Sequence, residues 1–256
     1  MSPRFLLVVL VALLIAAVLL DLTGVAPGAG VQAIPVLVLL AAGLLIWRAV
    51  WPRRKAETAA DLHISAAGEA RARLGLRFRS GDLVLATDAP SGALVSGMLS
   101  GAFTQQVRRS GGAAAVRLGQ PFALATPARA DWRIALSPAI TWEQVRLAVG
   151  ASNVRLDLAV LPLESLFIDA VSTALEAVLP RAGEVSLHIA GGRCVLRVPP
   201  GVDAEIVSDI RLGEVHVDGA RFCVAEAGRR WSAGEGSPAL RVRLAGGMGR
   251  VEVLLA

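Results

Sequence analysis

Tyrosine is missing from this chain, and Phe and Trp bring the aromatic content to only 4% of 256 residues. That scarcity removes the common stacking platforms for bases and sugars. Cysteine is nearly absent too. Cys194 and Cys223 stand in no metal or redox spacing, which leaves no disulfide framework to read. His63, His188 and His216 lack the helical or hairpin spacing of metal ligands. Ser186, His188 and Asp209 can be assembled into a Ser-His-Asp set on paper, but no nucleophile elbow surrounds the serine. The run Gly246-Gly247-Met248-Gly249 has neither the Gly-Lys-Ser/Thr nor the helix start of a phosphate loop, so it reads as a strand corner. No catalytic residue, cofactor or metal site is expected.

Apolar residues, by contrast, are abundant at 54%, and their excess is local. Phe5 to Leu20 contains no polar residue, and Ala33 to Trp47 is almost as clean. Each extends to about 17–19 residues, the lower end of what a helix needs to cross a bilayer core of about 30 Å. Pro35 falls in the first turn of the second run, where its missing N–H costs little. The first run has an alternative reading as a signal peptide cleaved near Val31-Gln32-Ala33. Its long apolar core and single basic residue, Arg4, favour an uncleaved span.

Charge orients these spans. The loop over 21–32 is Gly- and Pro-rich and holds no Lys or Arg, whereas Arg4, Arg48, Arg53, Arg54 and Lys55 flank the outer ends. The positive-inside rule then puts both outer ends in the cytoplasm. Trp47 and Trp51 suit an interfacial aromatic belt. The net charge of +5 divides unevenly: residues 1–55 carry +4, and the remaining residues, with 21 basic and 20 acidic side chains, carry +1. Basicity therefore orients an anchor, and nucleic acid is not an expected partner.

Beyond a charged, Ala-rich linker over 53–69 the period becomes two. Along 70–79 the arginines hold odd positions and Leu74, Leu76 and Phe78 even ones, the pattern of a strand with one wet face. A loose repeat of about 20 residues follows, over 146–158, 167–179 and 186–198, and is echoed at 240–253. Each copy is an alternating strand, a small-residue corner and a second alternating strand. Gly150, Gly191, Gly192, Gly246 and Gly247 are the expected corners, where the backbone must bend and stack closely. Short helices are the alternative over 141–149 and 166–179, but Gly150, Pro162 and Pro180 keep them short. The expected fold is thus a transmembrane α-hairpin over 1–52 followed by an all-β, solenoid-like repeat domain over 70–256. Trp132, Trp142 and Trp231 are expected to fill the core or cover sheet edges.

Several segments together resemble a known family. They are Trp132-Arg133-Ile134-Ala135-Leu136, Leu147-Ala148-Val149-Gly150-Ala151-Ser152, Ile189-Ala190-Gly191-Gly192 leading into Leu196-Arg197-Val198-Pro199-Pro200-Gly201, and the closing Leu244-Ala245-Gly246-Gly247-Met248-Gly249. The pattern is similar to that of LiaF-type cell-envelope stress-response membrane proteins, whose soluble part resembles the toast-rack, adhesin-like β-domain. The resemblance spans about 70–256 and, more weakly, the hydrophobic hairpin. It implies a non-enzymatic regulator or accessory of an envelope-stress two-component system in a bacterial inner membrane. A membrane sensor kinase is the implied partner beside the bilayer itself. It brings no catalytic residues. Two other readings stay open, a tethered ligand-binding or enzymatic β-domain and an externally facing adhesin-like module.

Overall fold

The computed structural model describes residues 59–121, 130–226, 229–234, 236–247 and 249–256, all of them strand, turn or loop. Both apolar runs, their flanking basic residues and Trp47 and Trp51 lie outside this set. The strands begin with β1 (Ala59–Ser65), β2 (Arg71–Ala86), β3 (Ala93–Ser100), β4 (Thr104–Ser110), β5 (Ala113–Gly119) and β6 (Ala130–Leu136). β7 (Thr141–Asp157), β8 (Ser165–Ala170), β9 (Thr173–Val178), β10 (Gly183–Ile189) and β11 (Gly192–Val198) follow. The series ends with β12 (Ala204–Ile210), β13 (Glu214–Val217), β14 (Cys223–Glu226), β15 (Arg230–Ala233), β16 (Leu240–Gly246) and β17 (Arg250–Leu255).

Strand β1 occupies ground that the sequence pattern assigned to the linker. Leu62 and Ile64 are buried there while Asp61, His63 and Ser65 are exposed, so the period-two pattern already operates before residue 70. Two short alternate positions were too few to stand out from an Ala-rich stretch.

The strands form one hydrogen-bonded sheet bent along a line of corners. On one side of the bend the order is β4–β5–β2–β7–β8–β10–β16–β12–β15–β14. On the other side it is β1–β3–β6–β2–β7–β9–β11–β17–β13. The central pairings are all parallel; antiparallel strands close both ends of the first side and the β1 end of the second, whose other end is the parallel β17–β13 pair. Each rung is one strand, a corner and a second strand, as the repeat suggested. Stacking order departs from chain order: β2 lies between β5–β6 and β7, β16 and β17 slot between β10–β11 and β12–β13, and β15 rather than β14 lies beside β12.

Alternation changes phase at every corner. In β2 the buried residues are Ala72, Leu74, Leu76 and Phe78 before the bend and Leu83 and Leu85 after it. In β7 they are Val145, Leu147 and Val149, then Val154 and Leu156. Even positions give way to odd, or odd to even, because the corner absorbs one step of the alternation, as a bulge does. Both halves of a rung therefore aim at the same core. Burying each Leu, Ile or Val there contributes about 1.5–3 kcal/mol before entropy is counted. Phe78 and Trp132 pack with ring centroids 5.2 Å apart. The indole of Trp132 donates to the Ser100 carbonyl (3.1 Å) and that of Trp142 to the Ser137 carbonyl (3.0 Å), so neither buried N–H is orphaned.

The corners explain the glycines. Gly192 (φ +113°) and Gly246 (φ +149°) hold backbone conformations that disfavour a side chain, and a Cβ would overlap the carbonyls of Thr173 and Ile189 in the rung alongside. Gly150 has ordinary φ, but a Cβ would strike the Arg79 carbonyl. Gly191 lies in the same bend as Gly192 and accepts the Thr173 N–H at 3.3 Å. Gly247 differs, because its would-be Cβ meets open space. Gly246→Ala should therefore destabilise the domain by about 1–3 kcal/mol, while Gly247→Ala stays within about 0.5 kcal/mol. Urea-unfolding midpoints of the two variants test this contrast.

Candidate interaction surface

The core is filled by side chains, so chemistry is confined to the outward faces of the rungs. On the β9–β11–β17 side these faces form an open trough of about 680 Å³. Parallel register sets its lining, since like positions of successive rungs lie directly beside one another, as Asp82 and Asn153, Arg155 and Glu176, and Val195 and Glu252 do. The charges there neutralise each other across strands. The Arg193 guanidinium donates to both carboxylate oxygens of Glu252 (3.1 and 3.0 Å), and Arg155 reaches Glu176 at 3.9 Å. Asn153 donates to Asp82 at 2.8 Å. Such exposed pairs contribute little stability, about 0–1 kcal/mol each. They can exchange partners when another charged surface arrives.

The histidines do not converge. His63, His188 and His216 are all exposed on separate strands. Among the described residues no three of His, Cys, Asp and Glu form a group able to hold a metal ion. Ser186 and His188 share β10, but Asp209 lies on β12, with β16 between them. Two strand spacings, about 10 Å, separate the imidazole strand from the aspartate strand, so these residues form no triad. Among the described residues no helix is long and apolar enough to cross a membrane.

The two thiols differ sharply. Cys194 is buried in the core, and burial pushes its pKa up to about 12, which keeps it protonated and unreactive. Cys223 is exposed on β14. Among the described residues two carboxylates are held below the usual carboxylate range. For Glu143 the largest cause is the hydrogen bond from Arg73, at 2.7 Å, with Arg71 adding its charge. For Glu69 the backbone N–H groups of Ala67 and of Glu69 itself come first, followed by Arg109, whose Nε donates at 2.6 Å.

No protein-family profile and no curated protein matches the sequence. Solved structures do. The crystal structure of a proposed cell adhesion protein from Clostridium sporogenes is similar with a TM-score of 0.67 and 17% identity, covering 78% of this chain and 99% of that one. A proposed adhesin from Bacteroides fragilis aligns over 77% of this chain and 97% of its own at 11% identity, with a TM-score of 0.31. The first likeness establishes the fold, an all-β domain of the kind found in that adhesion protein. It agrees with the toast-rack-like reading of the repeat.

Acid sensitivity follows from Glu69. Its folded pKa lies below the ordinary 4.5, so its contribution is fully present above the unfolded value and is lost as pH falls through the folded one. Urea midpoints measured downward from about pH 5 should therefore decline less steeply for Glu69→Gln than for the parent chain.

Proposed function

We propose that the chain is a membrane-anchored, non-enzymatic regulatory or scaffolding protein that holds its β-domain against the cytoplasmic face of a bacterial inner membrane. The observation that carries this reading is a juxtaposition along the chain. Two bilayer-length apolar runs with basic outer flanks precede, by a short tether, a domain whose described interior is packed with apolar side chains and whose described charged groups, the buried Glu69 apart, reach the surface. A packed solenoid with an open, internally paired trough suits contact with another protein. A bilayer anchor raises the effective concentration of that surface toward membrane partners. The resemblance to LiaF-type proteins points to a sensor kinase of an envelope-stress two-component system as the partner, with the trough as its contact face. An outward-facing adhesive module is the second reading, favoured by the name of the Clostridium sporogenes protein that shares the fold.

Cys223 separates these readings, because it is exposed whereas Cys194 is buried. In spheroplasts, a membrane-impermeant maleimide should leave Cys223 unmodified until the cells are lysed. Modification without lysis would put the domain outside and favour the adhesive reading. The regulatory role has its own check. A double charge reversal in the trough, Arg155→Glu with Arg193→Glu, should change the output of a kinase-dependent stress reporter several-fold at unchanged protein level. An unaltered reporter would remove the trough from signalling.

A further inference from the structure

We infer that the arginine-rich outward face at the β4 end of the first sheet half docks on anionic phospholipid headgroups. Arg71, Arg73 and Arg77 project from alternate positions of β2 and are exposed. Register brings further exposed arginines beside them: Arg117 of β5 and Arg146 of β7 lie on either side of Gly75, and Arg108 lies opposite Ala115 on β4. Gly75 has no side chain, which lets the Arg117 stem lie over it; a Cβ there would sit 3.6 Å from Arg117 Cγ. Among the described residues only two carboxylates share this ground. Glu143 pairs with Arg71 and Arg73, and Asp169 with Arg146 at 3.3 Å. Arg77, Arg108 and Arg117 face no carboxylate at ion-pair distance among the described residues. Six cations against two anions leave a patch with four net positive charges.

The rest of the same face is different. Glu184, Glu205 and Asp209 there balance Arg241, Arg243 and Arg230, with Arg241 and Arg230 both reaching Glu205. Residues 59–256, with 21 basic and 19 acidic side chains, carry only +2, so this face segregates its positive charge at one end. That end is also where the chain enters, because β1 and β4 are the edge strands on the β2 side of the stack. Only residues 52–58 separate Trp51 from Ala59. Seven residues reach about 25 Å when fully extended, so in an anchored chain this end stays near the bilayer. Anionic lipids of the cytoplasmic leaflet attract such clusters within a Debye length, about 8 Å at physiological salt. Guanidinium groups suit phosphate because they donate two parallel hydrogen bonds to it. Nucleic acid is the less favoured anion, since no aromatic platform accompanies the arginines.

The inference rests on the anchored reading, and its test keeps the two separable. Full-length chain carrying Cys223→Ser and Gln106→Cys is labelled with an environment-sensitive fluorophore beside Arg108 and Arg117. It is then reconstituted into nanodiscs of phosphatidylcholine, with or without phosphatidylglycerol. The expected result is an emission blue shift only with phosphatidylglycerol, lost at raised salt and lost in Arg108→Glu/Arg117→Glu. The same probe at Asp209→Cys, on the far part of that face, should not shift. Identical emission in both lipids would overturn the inference, as would a shift that survives charge reversal. A response only to added duplex DNA would overturn it in favour of nucleic acid. The salt response of the parent chain does not depend on how the variants fold. Chain that fails to stay in either disc would instead defeat the anchored reading.

Discussion

Everything in this domain depends on backbone stacking on backbone at the corners. The rungs lie in parallel register, and each bend nests against the bend of the next. Thr173 is held there by a buried hydroxyl that donates to the Gly150 carbonyl at 2.6 Å, while its N–H reaches Gly191. Where the nesting is tight, a single Cβ would occupy the position of a neighbouring carbonyl. Where it is looser, as at Ser172 with φ +51°, a residue with a side chain takes the left-handed conformation. The corner is thus the place where sequence is most constrained, and it fixes the spacing of everything on either side.

Two consequences follow from that one constraint. Inward, the phase change at each bend keeps apolar side chains from both halves in a common core that no rung could bury alone. Outward, parallel register places like positions of successive rungs in rows, so that charges pair across the repeat. Chain order is not the order of stacking, however. The β16–β17 rung lies beneath β12–β13, so a segment made earlier rests on one made later. Such non-local pairing is closed late and at greater entropic cost than pairing between adjacent segments.

Much of this was legible in the residues. Alternation along 70–79 and the burial of Trp132, Trp142 and Trp231 are as the residues suggested, because period and apolar bulk are local signals. Short helices over 141–149 and 166–179 were an open alternative, and both stretches lie in strands. Gly246 and Gly247 look equivalent in sequence, yet only at the first would a Cβ overlap a neighbouring backbone; which of two adjacent glycines is pressed depends on the rung beside it. Strand β1 was missed because its buried face has only Leu62 and Ile64 to announce it. The interleaving of β16–β17 had no local signal at all.

The distribution of charge was the least legible property, for a physical reason. A net charge is a sum over the chain, whereas an electrostatic surface depends on which strands the register brings together. The arginines of β2 alone read as a solvated face, and in most sheets that would suffice. Here β4 and β5 lie on one side of them and β7 on the other, each adding an arginine, while Gly75 between them carries no side chain. Glu184, Glu205 and Asp209, which balance the other arginines of that face, sit farther along the stack. A near-neutral domain thereby gains a polar axis, positive at the end where the chain enters. An anchor would leave that end with no choice of neighbour, and the surface it meets first would be the headgroups.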